Sequence, residues 1–332
     1  MTAGALALLL GAAEVALRLI TVPTPTAVPA VPVPPPGLTQ ISTLADLVKA
    51  HQRGLFRGQL YETNSRGLRD RDYVIPKPDG VFRIVLAGGS TTMGSWVAEP
   101  ATYGALLENG LNRAPGGRRF EVVNTALAGA TLQHAVGRLR QHGLPYAPDL
   151  IVYGFSPTDI RFPVAYQPAV TTSTLPALAP SGSAVIDALR HTLLELDAIR
   201  GGPGTYAAEL HHNYFDNPAA WALFLEQLDV LAGLAATGSL CVVVLIHTLP
   251  FSLHGLHPYS AIYQRVGDAA RARGFAVAPS LDLYLDEDPR TLWAAPGDQH
   301  ANARSHEILA RALGRGLSQL PRSCWKGTPP EL

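Results

Sequence analysis

The sequence predicts an α/β domain in which helices cover both faces of a parallel sheet, a three-layer α/β/α architecture. Apolar runs typical of strands alternate with helix-like segments along most of the chain, and strands separated by helices usually pair in parallel through right-handed crossovers. The strand-like runs are apolar throughout, which is the pattern of strands buried on both faces. Apolar residues make up 47% of the 332 residues and charged residues 16%, so the chain can form a large core.

Five strands and six helices are predicted in this domain. The strands are Arg83–Ala87, Glu121–Thr125, Asp149–Gly154, Leu240–His247 and Phe275–Ala278. The helices are Thr102–Asn112, Leu132–His142, Ala184–Ile199, Pro218–Ala236, Ile262–Arg273 and Ala303–Leu317. An insertion, 162–217, follows the third strand, and we expect it to form a lid or a substrate wall over the carboxyl edge of the sheet.

The N-terminal part of the chain is predicted to be a membrane anchor (1–20) and a proline-rich linker (21–37) before the domain at 38–332. The apolar run Ala3–Ile20 approaches the roughly 20 residues that a spanning helix needs. Prolines at the density of the linker favour an extended spacer. We therefore expect the domain to be tethered to a membrane and to lie outside the cytoplasm, in the periplasm. The alternative is an apolar helix packed on the domain or on a partner.

Composition and spacing exclude several other functions. Lys plus Arg balances Asp plus Glu at 26 each, so nucleic acid is not expected as a partner. Adjacent histidines, His211 and His212, have no second ligand pair at a suitable spacing, so they are predicted to be surface residues and no metal is expected. No organic cofactor is implied either. Whether Cys241 and Cys324 pair is left open.

The first predicted strand runs into a turn of small residues, Gly88–Gly94, which contains Ser90. A strand, a tight turn and a helix place one side chain at the carboxyl edge of a parallel sheet, where sites in such sheets form. On this stretch alone, Ser90 is equally well explained as a residue of a packing turn or as a nucleophile.

The loops in three further segments would emerge at the same edge: Val122–Thr131, Val152–Asp159 and Pro296–His306. A serine becomes a good nucleophile when a histidine accepts its proton and a carboxylate orients that histidine. Asp298 and His300 are two positions apart, so in an extended segment both side chains can face Ser90. Glycine-lined loops can supply backbone N–H groups for an oxyanion. The segments together predict acyl transfer.

The motifs resemble those of the SGNH (GDSL-like) hydrolases, in particular the membrane-anchored bacterial type. Gly88–Gly94 is similar to the first block of that family, Asn124–Gly129 to its second and Asp298–His300 to its last. The resemblance implies a flavodoxin-like parallel sheet and a triad of Ser90, Asp298 and His300. It also implies that the oxyanion is held by the amides of Ser90 and Gly129. Asn124 is expected to hold loops together by hydrogen bonds.

The sequence departs from the family pattern at its third block. Ser156–Asp159 stands where the family has Gly-x-Asn-Asp, so Thr158 replaces the asparagine that donates to the oxyanion. A hydroxyl can donate one hydrogen bond, and Thr158 is therefore predicted as a third, weaker donor. The favoured function is a serine esterase that hydrolyses a carboxylic ester of a glycan, lipid or small molecule. The alternatives are an O-acyltransferase acting on cell-surface glycans and a non-catalytic binding module with the same fold.

Overall fold

The computed structural model describes residues 38–114, 117–160, 182–183, 185–186, 206–250, 257–295 and 298–330. The predicted anchor (1–20), the linker (21–37) and most of the insertion (162–217) lie outside the described residues. The anchor, linker and lid therefore stay predictions.

Ten strands are described, and five of them form the central sheet. The strands are β1 Thr39–Gln40, β2 Arg53–Phe56, β3 Gln59–Glu62, β4 Val81–Gly88, β5 Arg119–Asn124, β6 Leu150–Phe155, β7 Cys241–Ile246, β8 Ala276–Pro279, β9 Trp293–Ala295 and β10 Asp298–Ala301. The central sheet has the order β5-β4-β6-β7-β8, and all of its pairs are parallel. This is the 2-1-3-4-5 order of flavodoxin-like sheets, so the predicted fold class is confirmed.

The helices fall between the strands as the alternating pattern predicts. They are α1 Leu44–Leu47, α2 Ser90–Met93, α3 Tyr103–Arg113, α4 Leu132–Arg138, α5 Tyr206–His211, α6 Pro218–Gly238, α7 Ser260–Arg271 and α8 Ala303–Ser318. A π-helical turn, Leu139–Gly143, continues α4. Of the predicted helix Ala184–Ile199, only 185–186 is described, and both residues are helical.

The side chains of β4 show how the two core layers arise. Phe82, Ile84 and Leu86 point into a cluster that includes residues of α3 and α8. Val85 and Ala87 point into a second cluster that includes residues of α4, α6 and α7. Because successive side chains of a strand face opposite sides of a sheet, a strand of this composition is buried on both faces between two helical layers.

A small sheet of β1, β2 and β3 was not predicted from the sequence. Its strands are two to four residues long and largely exposed, so they lack the apolar run that marks a buried strand. Ile41, which follows β1, and Tyr61 of β3 share a third cluster with Met93, Ala126 and Ala128. The small sheet is thereby packed against the turn after β4 and the loop after β5.

A disulfide joins Cys241, the first residue of β7, to Cys324 in the turn that follows α8, with a Cα–Cα distance of 5.6 Å. The two cysteines, whose pairing could not be decided from the sequence, are therefore bonded to each other. The bond ties the C-terminal segment to the amino end of the central sheet, opposite the edge at which the predicted site residues emerge.

The described end of the insertion packs into the domain. Leu210 and Tyr214 are fully buried in the cluster that contains α6. His211 and His212 point outwards, with side chains 59% and 61% exposed beside Asp216. The prediction of surface histidines is confirmed, and among the described residues no group of metal-ligating side chains is found.

One helix in the described part of the chain, α6, is long and apolar enough to cross a membrane by length and composition. Its Phe224, Leu228 and Leu231 are buried in the core of the domain. We therefore assign α6 to the helical layer of the domain.

Candidate active site

The turn that carries Ser90 depends on Gly88. A Cβ at Gly88 would lie 2.3 Å from the Thr92 hydroxyl and 2.8 Å from the carbonyl oxygen of Gly154, and φ at Gly88 is +159°. No other residue fits that space. The chain can therefore turn from β4 directly into α2, with Ser90 as the first helical residue and partly exposed to solvent.

The short helix ends as abruptly as it begins. Gly94 adopts the left-handed conformation, and its N–H donates to the carbonyl oxygens of Ser90 and Thr91. The N–H and the hydroxyl of Ser95 also donate to the carbonyl of Ser90, at 3.0 and 3.1 Å. The backbone of Ser90 is thus fixed from its C-terminal side, while its hydroxyl makes no hydrogen bond with the described residues.

Asp298 and His300 lie two residues apart on β10 and are joined directly. Nδ1 of His300 lies 2.6 Å from Oδ1 of Asp298, and the backbone N–H of His300 donates to the same oxygen at 3.1 Å. The two side chains are 19% and 20% exposed. With Nδ1 donating to the carboxylate, Nε2 is left as the acceptor that a general base needs.

The surroundings of Asp298 favour its ionised form. Burial raises the pKa of this carboxyl group, but the hydrogen bond from His300 and the nearby charges, including that of Arg57, outweigh burial and hold the pKa below its usual value. Asp298 is consequently a carboxylate at neutral pH, which is the state that orients an imidazole and stabilises it once protonated.

Trp96 connects the histidine with the turn of Ser90. Its ring lies in the loop after α2, and its centroid is 5.9 Å from that of the His300 ring. Arg69 fixes the backbone of this loop, because its buried guanidinium donates to the carbonyl oxygens of Met93, Gly94 and Val97. The serine turn and the Asp298–His300 pair are thus brought to one place, although the described residues include no hydrogen bond between Ser90 and His300.

Two backbone N–H groups are available near Ser90. The N–H groups of Ser90 and Gly129 make no hydrogen bond with the described residues. Gly129 lies exposed in the loop after β5 with φ at +76°. A Cβ at Gly89 would lie 3.2 Å from the carbonyl oxygen of Ala130, so this loop runs against the serine turn.

Thr158 follows β6 in a 3₁₀ turn, Pro157–Ile160. Its hydroxyl donates to the Ser156 hydroxyl at 3.3 Å. The single donor of Thr158 is therefore directed at a neighbouring residue in this structure, and a rotation about its side chain would be needed before it could donate to an oxyanion.

Asn124 connects the start of the loop after β5 to α2, the short helix that carries Ser90. Its side-chain amide donates to the carbonyl oxygen of Thr92 in α2 at 2.8 Å, and its amide oxygen accepts from the N–H of Ala126 at 3.1 Å. The expectation that Asn124 holds loops together is confirmed.

His247 and His306 are buried behind this edge of the sheet. Nδ1 of His306 accepts from the backbone N–H of Tyr103 at 3.1 Å. Burial and the neighbouring His306 lower the pKa of His247 to about 3, and burial together with Arg69 lowers that of His306 to about 3. Both rings are neutral at physiological pH, and neither ring makes a hydrogen bond with Ser90.

Sequence reasoning missed Trp96 and Arg57 and gave no role to Arg69. The ring contact of Trp96 with His300 and the hydrogen bonds of Arg69 to backbone carbonyls join segments that are far apart in the chain. Such contacts leave no periodic pattern in the sequence.

Comparison with known proteins finds structural similarity at low sequence identity. TesA matches with a TM-score of 0.43 and 17% identity over 71% of this chain and 97% of the other. A member of the lipolytic G-D-S-L family from Veillonella parvula matches with a TM-score of 0.43 and 13% identity over 72% and 100%. A catalytic mutant of an acetylxylan esterase from Geobacillus stearothermophilus matches with a TM-score of 0.42 and 14% identity over 71% and 93%.

No protein-family model matches the chain, and no curated protein does. Matches at these TM-scores and identities assign no activity to this chain.

Proposed function

We propose that this protein is a serine esterase of the SGNH type that hydrolyses a carboxylic ester through an acyl-enzyme. The observation that carries the proposal is the hydrogen-bonded Asp298–His300 pair, 2.6 Å between Nδ1 and Oδ1, on the segment that contacts the loop of Ser90 through Trp96. Two unused backbone N–H groups, of Ser90 and Gly129, lie at the same edge. Nucleophile, base, orienting carboxylate and oxyanion donors are the set that acyl transfer requires.

In the first half of the reaction, Oγ of Ser90 bonds to the ester carbonyl carbon while its proton passes to Nε2 of His300. The oxyanion formed is held by the amides of Ser90 and Gly129, with Thr158 as a third donor if its hydroxyl turns away from Ser156. The ester C–O bond then breaks, and His300 gives its proton to the leaving alcohol. Asp298 stabilises the imidazolium throughout.

In the second half, a water molecule attacks the acyl carbon and gives a proton to Nε2 of His300. The bond to Ser90 breaks, the serine regains its proton from His300, and the carboxylic acid leaves. The missing hydrogen bond between Ser90 and His300 is compatible with this scheme, because catalytic hydrogen bonds are often long before substrate binds and tighten in the complex.

We also propose that the domain acts outside the cytoplasm, held to a membrane by residues 1–20. The apolar N-terminal run and the disulfide between Cys241 and Cys324 support this location, since disulfides persist in oxidising compartments and are rare in the cytosol. The full-length protein should fractionate with membranes, and deletion of residues before Leu38 should release it. Full-length protein found in the soluble fraction would contradict the proposal.

A fluorophosphonate probe tests the catalytic assignment. The full-length protein should be labelled, and Ser90→Ala should abolish labelling because the probe bonds to the activated serine oxygen. Ser318→Ala, an exposed serine of α8, is the matched control and should be labelled like the wild type. Labelling that survives Ser90→Ala would contradict the nucleophile assignment, and a wild type that is never labelled would favour a binding module.

The hydrolase and the acyltransferase differ only in the acceptor of the acyl group. Ester consumption should be followed with and without an added oligosaccharide, by mass spectrometry of both products. We expect free acid as the main product in both cases. Acyl-oligosaccharide formed faster than free acid would instead assign the acyltransferase function.

A further inference from the structure

Arg57 stands at the tip of the hairpin formed by β2 and β3. Arg57 and Gly58 both have positive φ, +52° and +77°, as a two-residue type I′ hairpin turn requires. The register between Arg53–Phe56 and Gln59–Glu62 is regular up to the turn. The hairpin therefore projects Arg57 beyond the last strand pair.

The hairpin is packed on the candidate active site. Tyr61 of β3 contributes to the cluster with Met93 of α2 and Ala128 of the loop after β5, and its hydroxyl donates to the carbonyl of Leu47 at 2.6 Å. The position of the hairpin tip is thus fixed relative to the turn of Ser90.

At that position, the guanidinium of Arg57 stacks on the active-site tryptophan. Its central carbon lies 4.7 Å from the centroid of the Trp96 ring and 5.4 Å from that of Phe56. The Trp96 ring in turn contacts the His300 ring. The positive charge is therefore next to the Asp298–His300 pair, and it is only partly buried.

The guanidinium of Arg57 has free hydrogen-bond donors as far as the described part of the chain is concerned. Among the described residues its guanidinium makes neither a hydrogen bond nor an ion pair. Arg71 and Arg273 are paired with acids, Glu108 and Asp229, whereas Arg265, like Arg57, lies over aromatic rings without an ion pair to a described residue. A guanidinium over an aromatic ring can keep its N–H edge free, and that edge matches the two oxygens of a carboxylate.

We infer that Arg57 binds a carboxylate carried by the substrate, so that the esterase prefers esters with a negative charge near the bond that is cleaved. The inference rests on the proposed function and specifies its substrate class. A single cation matches a singly charged carboxylate. Among the described residues, the nearby Arg69 is not available as a second cation, since its guanidinium donates to four backbone carbonyls.

Two pairs of esters test the preference and distinguish the side that carries the charge. Mono-4-nitrophenyl succinate and its neutral methyl ester vary the acyl side, and 4-acetoxybenzoate and its methyl ester vary the alcohol side. For one pair, the full-length enzyme should show a higher kcat/KM on the charged member. In Arg57→Gln, the ratio of charged to neutral kcat/KM should fall by about tenfold or more, as expected for the loss of a charged hydrogen bond.

Two further variants test whether the preference depends on the charge and the planar shape of the Arg57 side chain. Arg57→Lys keeps the charge but lacks the planar fork, so its ratio should lie between those of the wild type and Arg57→Gln. Arg53→Gln, in strand β2 of the same hairpin, removes an exposed arginine paired with Glu62 and should keep the wild-type ratio. An equal loss on charged and neutral esters in Arg57→Gln would overturn the inference, because it would mean that Arg57 only positions Trp96 and His300.

Binding without chemistry separates this inference from the proposed function. Calorimetry on Ser90→Ala with the charged ester of the pair that shows the preference should give a dissociation constant that rises about tenfold or more when Arg57→Gln is added. Unchanged binding would overturn the anion site even if the protein is an esterase. A loss of binding in a protein that hydrolyses no ester would support the anion site and contradict the esterase.

Discussion

Asp159 lies next to the turn of Ser90, with Oδ1 3.8 Å from the position of a Cβ at Gly89, and its protonation makes the stability of the fold depend on pH. The carboxyl group is 3% exposed, and Oδ2 accepts from the Tyr153 hydroxyl at 2.6 Å and from the N–H of Ser156 at 3.1 Å. Oδ1 has no partner among the described residues. Burial raises the pKa of Asp159 to about 7, against the lowering effect of its two hydrogen bonds.

Because the pKa of Asp159 is higher in the folded protein than the usual value near 4, the folded state binds the proton more tightly. Its contribution to stability is complete below about pH 4 and is lost as pH rises to about 7, on the order of 2 kcal/mol between pH 5 and 7. Asp159→Asn resembles the protonated acid, so its free energy of unfolding should fall less between pH 5 and 8 than that of the wild type.

Urea unfolding at several pH values measures this difference. Asp286→Asn, which removes an exposed carboxylate, is the control and should keep the wild-type pH dependence. The same slope in Asp159→Asn and wild type would show that Asp159 is ionised throughout this range.

At the scale of elements, the site depends on the loop after α2. Arg69 is 5% exposed and donates to three carbonyl oxygens of Met93–Val97, the segment that presents Trp96 to His300. The sequence predicted β4, which leads to this loop through α2, because a strand buried on both faces carries a continuous apolar run. It could not predict the contact of Arg69 with this loop, since a buried arginine that donates to backbone carbonyls leaves no periodic signal. The strands of the small sheet were missed because they are short and lack a continuous apolar run.

Arg69→Met should leave the buried carbonyls of Met93 and Val97 without the guanidinium donors, while that of Gly94 keeps the N–H of Val97, and it should free the loop. We expect a loss of about 2–4 kcal/mol in the free energy of unfolding, at one to a few kcal/mol for each unsatisfied group. We also expect kcat per folded molecule to fall about tenfold or more, because small displacements of catalytic groups are costly. The measurement is ester hydrolysis at a temperature where both proteins are folded.

Arg271→Met, which removes an exposed arginine of α7 paired with Asp268, serves as the control. Full activity per folded molecule in Arg69→Met would mean that Arg69 stabilises the domain without setting the position of the loop.

At the scale of the whole molecule, the fold was largely predictable and the site only in part. The order of strands and helices follows from alternating apolar patterns, and the Asp298–His300 pair from a spacing of two in an extended segment. The stack of Arg57 on Trp96 joins a hairpin that precedes the central sheet to a loop within it, and such contacts depend on tertiary packing. The disulfide was likewise undecided, because the separation of 83 residues between its cysteines says nothing about their distance in space.

Removing the disulfide should destabilise the domain without changing its chemistry. Cys324→Ser combined with Cys241→Ser should lower the free energy of unfolding by about 2–4 kcal/mol, since the bond closes a long loop in the unfolded chain. Activity per folded molecule should be unchanged, because Cys241 is at the amino end of β7 and the site at the carboxyl edge. Wild type in reductant should match the variant, and a variant as stable as the oxidised wild type would contradict the prediction.

The central claim is that Ser90 forms an acyl-enzyme with His300 as its base. The most direct measurement is the mass of the protein stopped in acid within seconds of mixing with 4-nitrophenyl acetate, followed by sequencing of the modified peptide. We predict the mass of one acetyl group on Ser90 in the wild type, and none in Ser90→Ala or His300→Ala. An acetyl group on another residue, or hydrolysis by the wild type that persists in Ser90→Ala, would contradict the account.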